Sequence, residues 1–308
     1  MKGRYVLQAR VRAGVFAILM AGLSVKPAWA YTVAVDEAPL AWSAQANSQQ
    51  CPNAPSYLWV EGDVGPACIR YFAAGQLEKA EVLIVQFYGD RDKSLRQAPE
   101  DIENNTLLAQ QAYAEKQAAL AGRPWLVMAR PGTYGSSGDH RKRRYQEEFV
   151  VLGRALDELK RRYGVKKLVL LGHSGGATVI ASLLTMGRDD IQCAVMSSGT
   201  YNYMARNILW RMSRHRSLDF NAASQRIFDR YDPVFHVQGV VPDDTRQLYI
   251  VGDPRDTNTP FHLQVQFAWM LRGYGHRVDV VEMEGKAPSY HNLLGSGSSQ
   301  LAIRCAGN

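Results

Sequence analysis

The sequence predicts an α/β fold, with a mainly parallel central sheet and helices on both faces. Three observations lead there. The run Val82-Leu83-Ile84-Val85-Gln86-Phe87-Tyr88 is almost continuously apolar, the pattern of a strand covered on both sides. Further short apolar runs alternate with longer stretches of helix formers that stop at glycine, and such alternation builds a parallel sheet through right-handed crossovers. With 308 residues, 46% of them hydrophobic, the chain can bury a full core. No internal repeat, low-complexity linker or shift in composition marks a second domain.

Residues 31–55, rich in Ala, Gln, Asn, Ser and Pro, read as an irregular arm. Residues 56–61 and 67–73 are short aromatic or β-branched runs split by Gly62, Gly65 and Pro66, which predicts strand, turn and strand. After the strand at 82–88, an Ala- and Gln-rich helix is expected over 99–120, stopped by Gly122 and Pro124. A buried strand at 125–129, a Gly- and Ser-rich loop at 130–138, a helix at 145–163 ended by Gly164 and a strand at 165–171 follow. Residues 177–185 continue as an apolar helix and 191–196 as a strand. Over about 197–244 the alternation breaks. Tyr201, Tyr203, Trp210 and Phe220 lie there among basic residues, and a helical cap insertion over the site is expected, its aromatics lining an acyl pocket or forming a small core of their own. A strand at 247–251, a helix at 260–271 and a strand at 277–283 complete the pattern.

The first thirty residues do not belong to it. Lys2, Arg4, Arg10 and Arg12 precede an apolar stretch over residues 13–25, and Ala28-Trp29-Ala30 offers small residues at both positions read at cleavage. A signal peptide over 1–30 is expected, leaving 31–308 as one exported domain, periplasmic or secreted, with no stable membrane anchor, because the apolar stretch is shorter than the roughly 20 residues that span a bilayer. The five basic residues of this segment face no acids, so its removal lowers the formal charge from +7 to +2. The basic cluster His140-Arg141-Lys142-Arg143-Arg144 remains and could attract an acidic substrate or an anionic surface; Glu147 and Glu148 follow it, and a solvated loop entering a helix is the preferred expectation there. No nucleic-acid module is present. Cys51, Cys68, Cys193 and Cys305 all lie beyond the cleavage site, in a compartment that permits disulfides. Of three possible pairings, Cys51 with Cys68 and Cys193 with Cys305 is preferred, the first closing a short Pro- and Gly-containing loop and the second tying down the C-terminal segment. No Cys/His spacing suggests zinc, and no metal or organic cofactor is expected.

The chemistry centres on Gly172-His173-Ser174-Gly175-Gly176, set between the strand Lys167-Leu168-Val169-Leu170-Leu171 and an apolar helix. In such a setting small residues let the backbone bend sharply, the serine hydroxyl stands above the sheet, and the helix start favours developing negative charge. A serine hydroxyl needs an adjacent base, and the base needs a carboxylate to orient it. His291 fits best, since it follows the last strand through a loop with Gly285, Pro288 and Ser289. His173 adjoins the serine and should point elsewhere, His262 falls in a helix and His276 precedes a strand. For the acid, Gly252-Asp253-Pro254-Arg255-Asp256-Thr257-Asn258-Thr259-Pro260 follows a strand; Asp256 is preferred and Asp253 is the alternative. The order is Ser, Asp, His.

The elbow at 172–176, the acid loop at 252–260 and His291 together resemble the α/β-hydrolase superfamily from about Val82 onward. The loop Arg130-Pro131-Gly132-Thr133-Tyr134-Gly135-Ser136-Ser137-Gly138 is similar to the one after the fourth strand in that superfamily. The resemblance implies an oxyanion hole combining the Gly175 N–H with a donor from Phe87-Tyr88-Gly89-Asp90. A His-Gly-Gly-Gly run is absent, which argues against the esterase branch named for it. Tyr88-Gly89 and the doubled glycine after Ser174 look like the prolyl-oligopeptidase branch, in which the tyrosine hydroxyl helps hold the oxyanion. The second donor is therefore the Tyr88 hydroxyl or the Asp90 N–H. A chain of this length has no room for the propeller domain that many peptidases of that branch carry. The expected activity is that of an exported serine hydrolase cleaving a small carboxylic ester through an acyl-enzyme. The alternatives are a small-peptide hydrolase or exopeptidase, and a non-catalytic envelope binding protein that kept the fold.

Overall fold

In the computed structural model, residues 37–214 and 229–307 are described; the expected signal peptide at 1–30 and Phe220 of the expected cap lie outside them. The strands are β1 (Tyr57–Val60), β2 (Ala67–Ala74), β3 (Val82–Phe87), β4 (Trp125–Met128), β5 (Lys167–His173), β6 (Ile191–Ser197), β7 (Gln247–Gly252) and β8 (Arg277–Glu282). They form one sheet in the order β1-β2-β4-β3-β5-β6-β7-β8. The β1–β2 and β2–β4 pairs are antiparallel and every other pair is parallel. The helices among the described residues are α1 (Leu107–Ala121), α2 (Gln146–Tyr163), α3 (Gly175–Thr185), α4 (Tyr203–Met212), α5 (Phe261–Gly273) and α6 (Gly297–Gly307).

The period of two along each strand divides the sheet between two cores. Leu83, Val85 and Phe87 of β3 join Leu168 and Leu170 of β5 in one core, which α2, α3 and α5 cover. Ile84 joins Val169, Leu171 and Val195 in the other, which α1 and α6 cover. This is why β3 and β5 read as nearly continuous apolar runs: both faces of their central residues are dry. Gln86 is the polar exception in β3. It stays because Trp125 Nε1 donates to its side-chain oxygen at 3.1 Å and its amide donates to the Tyr113 hydroxyl at 3.0 Å.

Charge and capping explain α2, whose first turn carries Glu147 and Glu148 and whose last carries Lys160, Arg161 and Arg162. Gly164 then closes it at φ 66°. The helix expected from residue 99 begins at Leu107 instead. Pro99–Asp101 forms a separate 3₁₀ turn, Asn104 breaks the run at φ 58°, and the Thr106 side chain accepts from the Ala109 N–H as N-cap. Helix α6 was not expected as an element, because Gly297-Ser298-Ser299-Gln300 carries no helix signal. Its buried residues, Leu301, Ala302, Cys305 and Ala306, nonetheless share one face.

Within 197–244, α4 has no buried residue, and Pro233–Gly239 forms 3₁₀ turns. Tyr201 belongs neither to an acyl pocket nor to a separate small core. It is buried in the main core, stacks on Phe267 at 4.7 Å between centroids and donates to the Met196 carbonyl at 3.0 Å. Trp210 is 39% exposed.

Both preferred disulfides are present. Cys51–Cys68 anchors the segment before β1 to β2, and Cys193–Cys305 joins β6 to α6, with Cα separations of 5.9 and 6.0 Å. Chain restriction in the unfolded state grows with the logarithm of loop length, and the sequence separations are 17 and 112. Removing Cys193–Cys305 should therefore cost about 1.5 kcal/mol more than removing Cys51–Cys68. Urea unfolding of the two double Cys→Ala variants measures the difference; equal losses would mean that local packing sets both contributions.

Candidate active site

The strand-to-helix turn after β5 puts Ser174 at φ 54°, ψ −118°, outside the comfortable regions for a residue with a side chain. Its surroundings hold it there: the Ser174 N–H donates to the Ser197 carbonyl at 2.8 Å, and the Thr178 N–H closes the first helical turn onto the Ser174 carbonyl at 3.1 Å. The following glycines are needed for space. A Cβ on Gly175 would overlap the Asp90 carboxylate, and one on Gly176 would overlap the Phe87 carbonyl.

Ser174, His291 and Asp256, predicted from three separate loops, come together in one line. The Ser174 Oγ lies 2.9 Å from His291 Nε2, and His291 Nδ1 lies 2.8 Å from Asp256 Oδ2. An ionised carboxylate only accepts, so the imidazole proton sits on Nδ1 and the Nε2 lone pair faces the serine O–H. Asp256 is buried and accepts four hydrogen bonds. The Asn258 and Thr259 N–H groups donate to Oδ1 at 2.8 and 2.9 Å, while the Thr259 hydroxyl joins His291 on Oδ2 at 2.7 Å. Asp253 has a different task. Its carboxylate accepts from the Arg255 guanidinium and from the Gly285 N–H at 2.6 Å, tying the acid loop to the His291 loop. The Arg255 contact, with these N–H donors, holds it well below the usual carboxylate range.

Of the other histidines, His262 is exposed on α5 and His276 packs before β8. His173 does not turn away as expected. As the last residue of β5 it lines the cavity beside Ser174, with its ring 5.1 Å from that of His291. Burial, and then the neighbouring His291, push its pKa down to about 4, so it is neutral near pH 7.

Gly175 opens α3, so its N–H has no intrahelical acceptor. The loop after β3 passes close by: a Cβ on Gly89 would sit 3.1 Å from Ser174 Cβ. The Tyr88 hydroxyl points into the fold, donating to Gln110 Oε1 at 3.0 Å, with its ring against Tyr113 and Tyr134. Among the described residues no group of His, Cys, Asp and Glu could hold a metal ion.

With this geometry in view, the profile described as prolyl oligopeptidase family matches residues 138–300, more than half of the chain and the stretch that contains Ser174, Asp256 and His291. The chain belongs to the prolyl oligopeptidase family. A comparison with curated protein sequences gives no match. Among solved structures, an acylaminoacyl peptidase of Pyrococcus horikoshii is similar at 16% identity and a TM-score of 0.53, over 81% of this chain and 39% of that one. The chain thus spans about two fifths of that peptidase. The Pyrococcus furiosus esterase Pf2001 (12% identity, TM-score 0.54, 87% and 96% covered) and Est1E of Butyrivibrio proteoclasticus, solved with ferulic acid (12%, 0.54, 80% and 96%), are similar over nearly their whole length. At these identities the likeness to solved structures concerns the α/β fold, while the family match makes the chain a member of a serine hydrolase family.

In this member of the prolyl oligopeptidase family the site rests on buried charges that the sequence did not single out. Arg130, after β4, bonds through Nε to Glu148 of α2 and through Nη1 to Asp90, each at 2.8 Å. Arg144 reaches Asp90 at 2.7 Å and Thr178 of α3 at 3.3 Å, while its N–H donates to Glu148 at 2.6 Å. Burial alone would raise the Asp90 pKa, but Arg144, Arg130 and Arg143 outweigh it and hold the group well below the usual range. The expected solvated loop at 140–144 is thus corrected in part. Arg141 and Lys142 are exposed, but His140 and Arg144 are buried because their partners are other buried groups. The signal open to sequence reading was Asp90 itself, an acid directly after a doubly buried strand.

Removing the Asp90 carboxylate would leave the buried Arg144 guanidinium without a carboxylate and Arg130 with Glu148 alone, and Asp90→Ala should cost about 3–5 kcal/mol, measured by urea unfolding. A loss under 1 kcal/mol would mean that water replaces the carboxylate.

A pH dependence follows from His140, whose Nε2 accepts the Arg91 N–H at 3.3 Å. Burial, then Arg130, lowers its pKa from 6.5 to about 4. The unfolded chain takes up this proton first, so the stability is complete above about pH 6.5 and falls as pH drops toward 4. His140→Gln should flatten the slope of the urea midpoint against pH in that window; an unchanged slope would assign the acid sensitivity to other groups.

Proposed function

We propose that the chain hydrolyses small carboxylic esters through an acyl-enzyme on Ser174. The observation that carries this reading is the continuous line of hydrogen bonds from Ser174 Oγ through His291 to Asp256. Ser174 Oγ attacks the ester carbonyl carbon while His291 Nε2 takes its proton. The tetrahedral intermediate collapses as the imidazolium returns that proton to the departing alcohol oxygen. Water, deprotonated by His291, then attacks the acyl carbon, and Ser174 leaves with the proton while the carboxylic acid is released. Asp256 keeps the imidazole in the required tautomer and stabilises the imidazolium. The Gly175 and Asp90 N–H groups stabilise the oxyanion. Tyr88, its one proton engaged by Gln110, keeps the loop in place.

Ester cleavage is favoured over amide cleavage because the similar esterases are matched over 96% of their length, the peptidase over 39%. The family match supports the second reading, a small-peptide hydrolase or exopeptidase. We also propose that the protein is exported. The basic and apolar pattern of residues 1–30 and two disulfides support this, and among the described residues no helix is long and apolar enough to cross a membrane. Tyr203 and Arg206 of α4 line the cavity, which supports the reading of this helix as part of a cap over the site.

Short acyl esters and aminoacyl amides, assayed on wild type and Ser174→Ala, test the reading. The ester rate should exceed the amide rate, and Ser174→Ala should lose about 10⁴-fold or more in kcat with its reaction toward a fluorophosphonate abolished. Full activity in Ser174→Ala would sink the acyl-enzyme, and faster amide turnover would select the peptidase.

A further inference from the structure

The cavity beside Ser174, about 300 Å³, carries more positive charge than a neutral ester requires. Arg91, Arg143, Arg144 and Arg206 all line it. Arg144 is matched by Asp90, Arg143 by Asp92 and more distantly by Asp90, and the underlying Arg130 by Glu148 and Asp90. Three guanidiniums thus meet three carboxylates. Arg91 and Arg206 have no carboxylate at ion-pair distance among the described residues. Arg206, one turn into α4, is held by a neutral partner, its Nε donating to the Asn258 carbonyl at 2.6 Å and its Nη2 to the Asn258 side-chain oxygen. Arg91 lies over the rings of Tyr88 and Tyr134 at 5.0 and 5.6 Å, and its Nε is buried without a hydrogen-bond partner. The remaining acids nearby are engaged. Asp256 accepts four hydrogen bonds behind His291, and Asp232 caps α4 by accepting from the Tyr203 and Met204 N–H groups. Burial and the nearby Arg144 both disfavour the charge on Arg206, a cost that a bound anion would relieve.

We infer that this cavity takes a substrate bearing a carboxylate close to the scissile bond, read by Arg91 and Arg206. The inference rests on Ser174 as the nucleophile. Guanidinium groups suit the task because their planar donors match both oxygens of a carboxylate. Arg91 also borders the open cleft of about 1110 Å³ that meets the cavity at His291 and Asn292, so it lies where the two arms of an extended substrate diverge.

Two matched pairs of esters test the inference and assign the charged arm. The first compares 4-nitrophenyl hydrogen glutarate with 4-nitrophenyl valerate, placing the carboxylate on the acyl side. The second compares the butyrate esters of 4-hydroxybenzoate and of methyl 4-hydroxybenzoate, placing it on the leaving group. In at least one pair, at low ionic strength and after subtraction of the uncatalysed rate, kcat/KM for the carboxylate ester should exceed its partner by about tenfold or more. That ratio should fall about tenfold in Arg206→Gln and in Arg91→Gln, recover in part in Arg206→Lys, and shrink at high salt. A ratio at or below one in both pairs overturns the inference, as does a ratio that neither Gln variant changes. Should the variants fail to fold, wild-type inhibition decides: glutarate should inhibit about tenfold more strongly than glutaramide, and equal inhibition overturns the inference. Activity retained in Ser174→Ala would instead remove the nucleophile reading, a separate outcome.

Discussion

The carboxylate of Asp90, largely enclosed by Arg130, Arg143 and Arg144, is the contact on which the candidate site depends. It ties the loop after β3 to the segment after β4 and to the residue leading into α2, while Arg144 extends the tie to α3 through Thr178. Buried ion networks of this kind add little net stability compared with apolar packing, because desolvation consumes most of the attraction. Their effect lies in the penalty for any other arrangement. A loop that moved would leave the buried Arg144 guanidinium without its carboxylate, so the network resists displacement of the backbone beside Ser174. Gly175 belongs to the same constraint, since only a residue without Cβ lets α3 begin against that carboxylate.

The parts of the site that were legible in the sequence are those set by local rules. The elbow could be read because a doubly buried strand, a Gly-rich turn and an apolar helix follow each other within a few residues. His291 could be read because it follows the last strand through a loop. The choice between Asp256 and Asp253 was harder, since both are turn residues after β7. It depends on distant partners: Gly285 and the adjacent Arg255 occupy Asp253, while Thr259 and His291 converge on Asp256. The charged network was opaque for the same reason. Arg130, Arg144 and Glu148 look like solvated residues until the fold brings them to Asp90. Helix α6 was hidden by its Ser- and Gly-rich start, although the spacing of Leu301, Ala302, Cys305 and Ala306 is helical.

The aromatics of the 197–244 region follow the same division. Their composition suggests a pocket or a small core, but placement separates them: Tyr201 fills the main core, Trp210 is partly exposed, and Tyr203 reaches the cavity with Arg144 5.0 Å above its ring. A polar, arginine-lined cavity fits poorly with long apolar acyl chains. Its lining favours substrates that bring hydrogen-bond acceptors with them.

Helix α6 has a consequence for how the protein is made. It covers the sheet face formed by Ile84, Val169, Leu171, Cys193 and Val195, and it lies at residues 297–307. During synthesis α6 emerges after every strand it covers, so the second core closes later than the first. Its cover comes from far along the sequence, and the Cys193–Cys305 link, with 112 residues between its ends, fastens that late-arriving helix to β6 once it has docked.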